Sequence, residues 1–336
     1  MYTNENFKQI SEDEFSFTLP DKRNFKILQL TDLHLGYGEM SKRQDALAYD
    51  AVRKLIGKTN PDYIVITGDT IYPKYRKTGM RNNKMQMTEF INWFDSFKIP
   101  YSMIFGNHDS DKNSMFSKDE ISDVIMNGKY SIFAKGKEDI YGMGNYVVNL
   151  TDRENIPMVT LSMLDSNTYT RDFRNFDCVH TNQIDWLTEK LDNIRKQNKS
   201  LYSLMFLHMP LPEYYYAYKM MKLGRREVRY NFGSVGEPND NFGISSCNNQ
   251  LFDRVQEQGI VKGIFCGHDH KNSISMFYKN IMLTYGMSID YIGYCTENDF
   301  IQRGATLITL DTFYNRFRAR PIPLTRVATT AISHNR

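Results

Sequence analysis

The chain has 336 residues, 41% of them hydrophobic and 24% charged, an ordinary globular composition with ample apolar material for a large core. A formal net charge of +3 gives no argument for nucleic acid or an anionic membrane as the main partner. No stretch approaches the roughly 18 consecutive apolar residues of a membrane span, so none is expected. The four cysteines, Cys178, Cys247, Cys266 and Cys295, form no C-x-x-C pair, and reduced thiols in a reducing compartment are expected. The polar run Met1-Tyr2-Thr3-Asn4-Glu5-Asn6 lacks an apolar signal region. A soluble cytoplasmic protein is therefore the expectation.

Residues 15–19 alternate apolar and polar and meet Pro20, predicting a strand and a turn. Residues 25–30 predict a second strand, ending at Thr31-Asp32-Leu33-His34. Ser41 is placed as the N-cap of a helix over 45–58. Residues 63–66 predict a buried strand ending in Thr67-Gly68-Asp69. A polar, basic loop over 72–83 leads to a helix through Met87, Phe90, Ile91 and Phe94. Residues 101–105 form the next strand, ending in Gly106-Asn107-His108-Asp109. This strand–helix alternation implies parallel strands with right-handed crossovers.

The middle is less regular. A helix is predicted over 116–126, strand-like pieces over 130–148, and a strand over 158–164 ending at Asp165. Thr181 is read as the cap of a helix to about Asn198, with Ile184, Leu187, Leu191 and Ile194 on one face. A strand over 201–207 ends in His208. Residues 211–245 read as a long irregular segment holding Tyr214, Tyr215, Tyr216 and Tyr218, a substrate wall or lid on one reading and surface packing on the other. Arg225, Arg226 and Arg229 read as a solvated basic face. A helix over 247–258 precedes a strand over 261–266, which ends in Gly267-His268-Asp269-His270. Residues 281–284, 305–310 and 317–321 predict antiparallel closing strands. The chain divides into an N-terminal extension of the same domain (1–24), the main domain (25–325) and a frayed tail (326–336).

The strand ends carry the chemistry. They collect Asp32, His34, Asp69, Asn107, His108, Asp109, His208, His268 and His270, and so five of the seven histidines. In open α/β sheets the carboxyl ends of parallel strands share one edge, where sites form. The set offers carboxylates, imidazoles and one amide oxygen but no thiolate. That excludes a structural zinc pattern and suits catalytic divalent metals. The donors are too many for one ion with open positions; two ions roughly 3.5–4 Å apart with a shared carboxylate fit the count. Asp69, held by Gly68, is the natural bridge. Asp165 also ends a strand but reads as a structural cap, and Cys266 as a small core residue.

Asp32-Leu33-His34, Gly68-Asp69, Gly106-Asn107-His108-Asp109, His208 and Gly267-His268-Asp269-His270 together resemble the signature blocks of the calcineurin-like metallophosphoesterases. The likeness spans residues 25–310. Gln183-Ile184-Asp185-Trp186-Leu187 and His208-Met209-Pro210-Leu211-Pro212-Glu213-Tyr214 are similar to the purple-acid-phosphatase-like branch. The resemblance implies a four-layer α/β/β/α sandwich of two mixed sheets flanked by helices, with two metal ions between the sheets, Mn, Fe or Zn. It assigns Asp32, His34 and His270 to the first metal and Asn107, His208 and His268 to the second, with Asp69 bridging. It leaves His108 for the substrate, oriented by Asp109. True purple acid phosphatases have Gly at the place of His34 and a tyrosinate ligand at the place of Tyr72. Here both residues are present; His34 is preferred as the ligand and Tyr72 as packing.

The implied activity is hydrolysis of phosphate esters by a metal-bridging hydroxide. A phosphomonoesterase acting on a small molecule or phosphoprotein is favoured, with a phosphodiesterase of the same core as the alternative. Charge argues against a nuclease. A non-catalytic scaffold is disfavoured because no ligand of the set is missing.

Overall fold

Side-chain periodicity sorts the chain into two sheets with helices on their outer faces. The computed structural model describes residues 6–112, 114–170, 175–245, 250–294 and 303–324. In chain order the elements are β1 (Phe7–Ser11), β2 (Glu14–Thr18), β3 (Asn24–Leu30), α1 (Lys42–Thr59), β4 (Tyr63–Thr67), α2 (Tyr75–Thr78), α3 (Asn83–Phe94), β5 (Tyr101–Ile104), α4 (Lys118–Met126), β6 (Tyr146–Thr151) and β7 (Pro157–Met163). There follow α5 (Thr181–Arg195), β8 (Tyr202–Phe206), α6 (Pro212–Lys222), β9 (Val228–Phe232), α7 (Leu251–Gln258), β10 (Val261–Cys266), β11 (Ser275–Tyr278), β12 (Ile281–Tyr285), β13 (Gly304–Asp311) and β14 (Arg316–Pro323).

One sheet has five strands in the order β14-β13-β3-β4-β5; the other has nine in the order β1-β2-β6-β7-β8-β10-β12-β11-β9. In the first, β3, β4 and β5 run parallel and β13 and β14 antiparallel. In the second, β7, β8, β10 and β12 run parallel, with antiparallel partners outside them. Both sheets are therefore mixed.

Strand β8 shows why the sheets stack. Its side chains alternate, so Leu204 and Phe206 join the core between the sheets, whereas Met205 joins the core on the outer face. The inner core continues through Phe25, Ile27 and Ile64 of the smaller sheet to Ala48, Val52 and Leu55 of α1. The outer core takes Ile184, Leu187, Leu191 and Ile194 of α5, the face expected from their spacing. The result is the expected α/β/β/α sandwich. No described helix is long and apolar enough to cross a membrane.

The N-terminal strands are tied down by one buried carboxylate. Trp186 Nε1–H donates to Asp13 Oδ2 at 2.7 Å, and Lys190 Nζ reaches Asp13 Oδ1 at 2.8 Å. Burial opposes the charge on Asp13, but Lys190, Ser11 and Trp186 outweigh it and hold the carboxyl below its ordinary range.

Several expectations are corrected. Ser41 does not cap α1 with its side chain; its Oγ donates to Gly38 O at 3.1 Å and Asp45 Oδ2 at 2.8 Å, closing the loop before the helix. The segment 211–245 is not a long irregular loop. Pro212 opens α6, and Tyr214, Ala217 and Tyr218 form its buried face at helical spacing. Its strand β9 pairs with β11, which has no counterpart among the expected elements. The strand at 281–284 is parallel to β10 and antiparallel only to β11, because a strand's residues signal extension but not a partner. Cys178 is disulfide-bonded, which removes the cysteine argument for a reducing compartment; Cys266 is a free buried thiol. Cysteine spacing along the chain does not report spatial approach. The tail 326–336 lies outside the described residues.

Candidate metal centre

The carboxyl ends of β3, β4, β5, β8 and β10 open on one edge of the sandwich, and each expected site residue lies in the loop just beyond one of them. Cross-links between the sheets fix that edge: Thr31 bridges Ser288, and Gln29 Nε2 donates to Cys266 O at 3.0 Å. Neighbouring loops are stitched by His34 N–H to Asp69 O at 3.0 Å and Gly267 N–H to His208 O at 3.0 Å. Asp32, His34, Asp69 and His268 all have positive φ, between 49° and 76°. Non-glycine residues avoid that region, and a cluster of them marks a site whose surroundings enforce the geometry. Gly68 has φ +87°, and a Cβ there would lie 2.6 Å from His208 Nδ1 and 2.7 Å from Gly106 N. Only glycine lets the loop bearing Asp69 approach so closely.

Among the described residues, Asp32, His34, Asp69 and His270 are all buried and each offers a donor atom within 4.8 Å of the others. A second group adjoins them. His268 Nδ1 lies 3.0 Å from Asn107 Oδ1 and 3.3 Å from His208 Nε2, and His208 Nε2 is 3.1 Å from the same amide oxygen. Asp69 Oδ2 is 3.4 Å from His34 Nε2 and 3.3 Å from His208 Nε2, so it stands between the groups. Both ring nitrogens of His34 are buried without a hydrogen-bond partner. Converging lone pairs with an orphaned buried imidazole are costly for a bare protein and suit cations. The oxygen and nitrogen donors fit a pair of first-row divalent metals.

Outer contacts aim the imidazoles. His208 Nδ1–H donates to Thr67 O at 2.8 Å, which makes Nε2 the nitrogen that faces the centre and would offer its lone pair to a cation. His270 Nδ1–H donates to Asp290 Oδ2 at 2.9 Å with the same consequence. Asp32 is held by Thr31 Oγ1–H at 2.8 Å and by His268 N–H at 3.1 Å. Asp290 was not anticipated. It follows β12, whose partner in the sheet the sequence pattern does not reveal, so its arrival at the site had no signal.

The electrostatics reflect crowding of opposite charges. Burial opposes charge on His34, but Asp290, Asp32 and Asp69 outweigh it and lift its pKa to about 10. His208 is lifted to about 9 against burial, mainly by Asp69. Burial depresses His268 to about 3, reinforced by His208. Burial works against the Asp69 carboxylate, yet His208 and His108 hold it well below the ordinary range. Asp109 is pushed up to about 6 by burial and by Asp69.

His108 is brought to the centre, its N–H donating to Asp69 Oδ1 at 2.8 Å. Its orientation corrects the expectation for Asp109. Asp109 accepts backbone N–H groups from Asp69 (3.0 Å), Thr70 (2.8 Å), Ile71 (3.0 Å) and Gly106 (2.8 Å), and so knits two site loops together. The imidazole is instead held by Asp111, 3.1 Å from Nδ1, which also pairs with Lys74. A carboxylate adjacent in sequence faced the backbone, and the one a turn later faced the ring. His108 Nε2 points toward a cavity of ≈ 340 Å³ whose walls include Tyr169, Phe176, Glu237, Lys271 and Tyr294. Burial depresses the His108 pKa to about 3.

Other candidates have different surroundings. Asp165 is buried, ion-pairs with Lys118 at 2.8 Å and accepts from Met143 N, a structural role. Asp269 points away from the centre, accepting from Tyr285 OH at 2.7 Å and Gly243 N at 2.9 Å. Tyr72 packs its ring 4.8 Å from that of His34. Tyr214 is fully buried and donates to Ile264 O at 2.7 Å, so it is core and not a substrate wall. Arg225, Arg226 and Arg229 are exposed and do not line the cavity.

The family model for calcineurin-like phosphoesterases matches residues 25–272. The yeast (Saccharomyces cerevisiae) Phosphatase DCR2 is 27% identical over 274 residues, covering 75% of this chain but only 45% of that protein. Probable inactive purple acid phosphatase 14 of Arabidopsis thaliana is 26% identical over 303 residues, covering 80% of this chain and 71% of the relative. A crystal structure of a dimetal phosphatase from Danio rerio superposes with a TM-score of 0.59, covering 89% of this chain and 96% of the other. At 12% identity that likeness shows a common fold.

Proposed function

Because the chain belongs to the calcineurin-like phosphoesterases, we propose that it hydrolyses phosphate esters at a dinuclear metal centre held by Asp32, His34, Asp69, Asn107, His208, His268 and His270. The observation that carries the reading is the placement of Asp69. Its Oδ2 lies within 3.4 Å of an imidazole nitrogen of each donor group. The metals are Mn, Fe or Zn, by donor type. When bound, such a pair lowers the pKa of water and neutralises phosphoryl oxygens.

The chain's own groups supply the rest. Asp109 and Gly68 hold the loops in register. Thr67 and Asp290 fix the tautomers of His208 and His270. His108 presents Nε2 to the cavity, with Nδ1–H donated to Asp111. Once protonated at Nε2 as well, the ring would hydrogen-bond the leaving oxygen or hand it that proton. A phosphate dianion beside Nε2 opposes the burial that keeps the ring neutral.

The favoured substrate is a phosphomonoester, on a small molecule or a phosphoprotein. Support comes from the yeast relative named a phosphatase; it is a protein of more than twice this span, so its activity transfers only as a proposal. A non-catalytic reading has one observation in its favour, the plant relative's name, which says "probable inactive". Against it stands the convergence of donor atoms from Asp32, His34, Asp69 and His270 within 4.8 Å of one another. The experiment is metal analysis coupled to parallel assays on a chromogenic monoester and a bis-ester, with wild type and Asp69→Ala. Metal-dependent monoester turnover lost in the variant is expected. Turnover on the bis-ester alone would favour a diesterase, and metal-free inert protein would favour a scaffold.

A further inference from the structure

We propose that Tyr294 is a substrate-contacting residue of this centre, donating its phenolic O–H to an oxygen of the bound phosphate. The inference deepens the phosphoesterase reading and rests on it.

The first observation is position. Tyr294 lines the same cavity as Asp69, Asn107, His108, His268 and His270. Its hydroxyl lies 3.3 Å from His108 Nε2. That is the ring nitrogen His108 shows to the cavity, since Nδ1 is engaged by Asp111. A phosphate oxygen arriving at Nε2 therefore arrives at the Tyr294 hydroxyl as well. The bond to Nε2 is long for an O–H donor, so exchanging it for a charged oxygen strengthens the contact.

The second observation is how the residue is held. The residue is 62% exposed, yet its backbone is built into the site. Asp290 accepts N–H from Ile292 at 2.8 Å, Gly293 at 2.6 Å and Tyr294 at 2.7 Å. The same carboxylate receives His270 Nδ1–H. One buried group thus sets the aim of a proposed metal ligand and the turn that delivers Tyr294. Lys77 Nζ clamps the turn from the other side, donating to Gly293 O at 2.7 Å. The ring rests edge-on against His270, with centroids 4.9 Å apart. An exposed tyrosine at the end of a turn fixed by three hydrogen bonds to one carboxylate, one of them its own, is presented, not merely tolerated.

The third is chemical. A phenol ordinarily holds its proton at neutral pH and is an O–H donor. A neutral donor suits an anionic substrate without adding charge to a site already crowded with it.

Tyr294→Phe isolates the claim, because it keeps the ring and its packing and removes only the hydroxyl. Two readouts apply to the metal-loaded protein: inorganic phosphate binding by titration calorimetry, and kcat/KM on a chromogenic phosphomonoester. Metal content and thermal midpoint serve as controls. Phosphate binding weaker by about fivefold or more and kcat/KM lower by about tenfold or more, with controls unchanged, is the expected result. Wild-type phosphate affinity and turnover in Tyr294→Phe would overturn the assignment while leaving the phosphoesterase reading intact. A wild-type protein that holds metal but neither binds phosphate nor hydrolyses the ester overturns that reading, and this inference with it.

Discussion

Replacing Asp290 by Asn changes one atom and tests how the centre is oriented. The wild-type carboxylate is fully buried and accepts four hydrogen bonds at 2.6–2.9 Å, three from backbone N–H and one from His270 Nδ1. An Asn has one carbonyl oxygen for those donors. Whichever way the amide turns, its NH2 faces a donor, either His270 Nδ1–H or backbone N–H of the 290–294 turn. The cheaper relief moves the His270 proton to Nε2, the nitrogen 3.5 Å from Asp32 Oδ1. That nitrogen is then protonated and no longer offers a lone pair. Loss of such an outer partner weakens metal binding about 10- to 100-fold, or about 1.4–2.7 kcal/mol. Calorimetric titration of metal-stripped protein with Zn or Mn measures this. The step assigned to Asp32, His34 and His270 weakens, and the step assigned to Asn107, His208 and His268 changes less. Wild-type affinity for both metals in Asp290→Asn would refute the argument that Asp290 aims His270.

Asp109→Ala strands four buried backbone N–H groups and should destabilise by about 4 kcal/mol or more, lowering the thermal midpoint by roughly 8 °C or more. Asp111→Ala removes the partner of His108 Nδ1 and should lower kcat about tenfold with a midpoint near wild type; equal thermal losses in the two variants would refute the division of roles. Asp13→Ala leaves the buried Trp186 indole without its acceptor and Lys190 with Glu14, 3.3 Å away, and should cost about 3 kcal/mol at pH 7 by urea unfolding. The Asp13 pKa is depressed on folding, so its contribution is present above the unfolded value of about 3.9 and fades as pH falls through the folded value. The gap between wild type and variant should therefore narrow in acid below about pH 4. Tyr214→Phe should lose about 1 kcal/mol and leave turnover unchanged, as suits a core residue whose hydroxyl reaches Ile264 O; altered KM would restore the substrate-wall reading.

The strand-end residues were legible because of a geometric rule. Parallel strands end on one edge, so Asp32, Asp69, Asn107, His208, His268 and their neighbours can be gathered from the sequence alone. Gly68 carried a second legible signal, a tight approach next to a lone Asp. The helix α5 is legible from its apolar spacing, whereas α6 is hidden in a tyrosine cluster that reads equally as a substrate wall or lid and as surface packing.

Asp111, Asp290 and Tyr294 were not legible, because nothing local marks them. They sit in loops, where the path of the backbone decides which group a side chain faces. Asp109 and Asp111 make the point. Both follow His108 closely in the chain, and the turn geometry alone sends one carboxylate to four backbone amides and the other to the imidazole. Composition, periodicity and strand-end chemistry, which are properties of neighbours along the chain, specify the layers and the donor types. The tautomers of His208 and His270, the bridging place of Asp69 and the reach of Tyr294 depend on contacts between residues up to 216 positions apart. Such contacts exist only once the two sheets have packed.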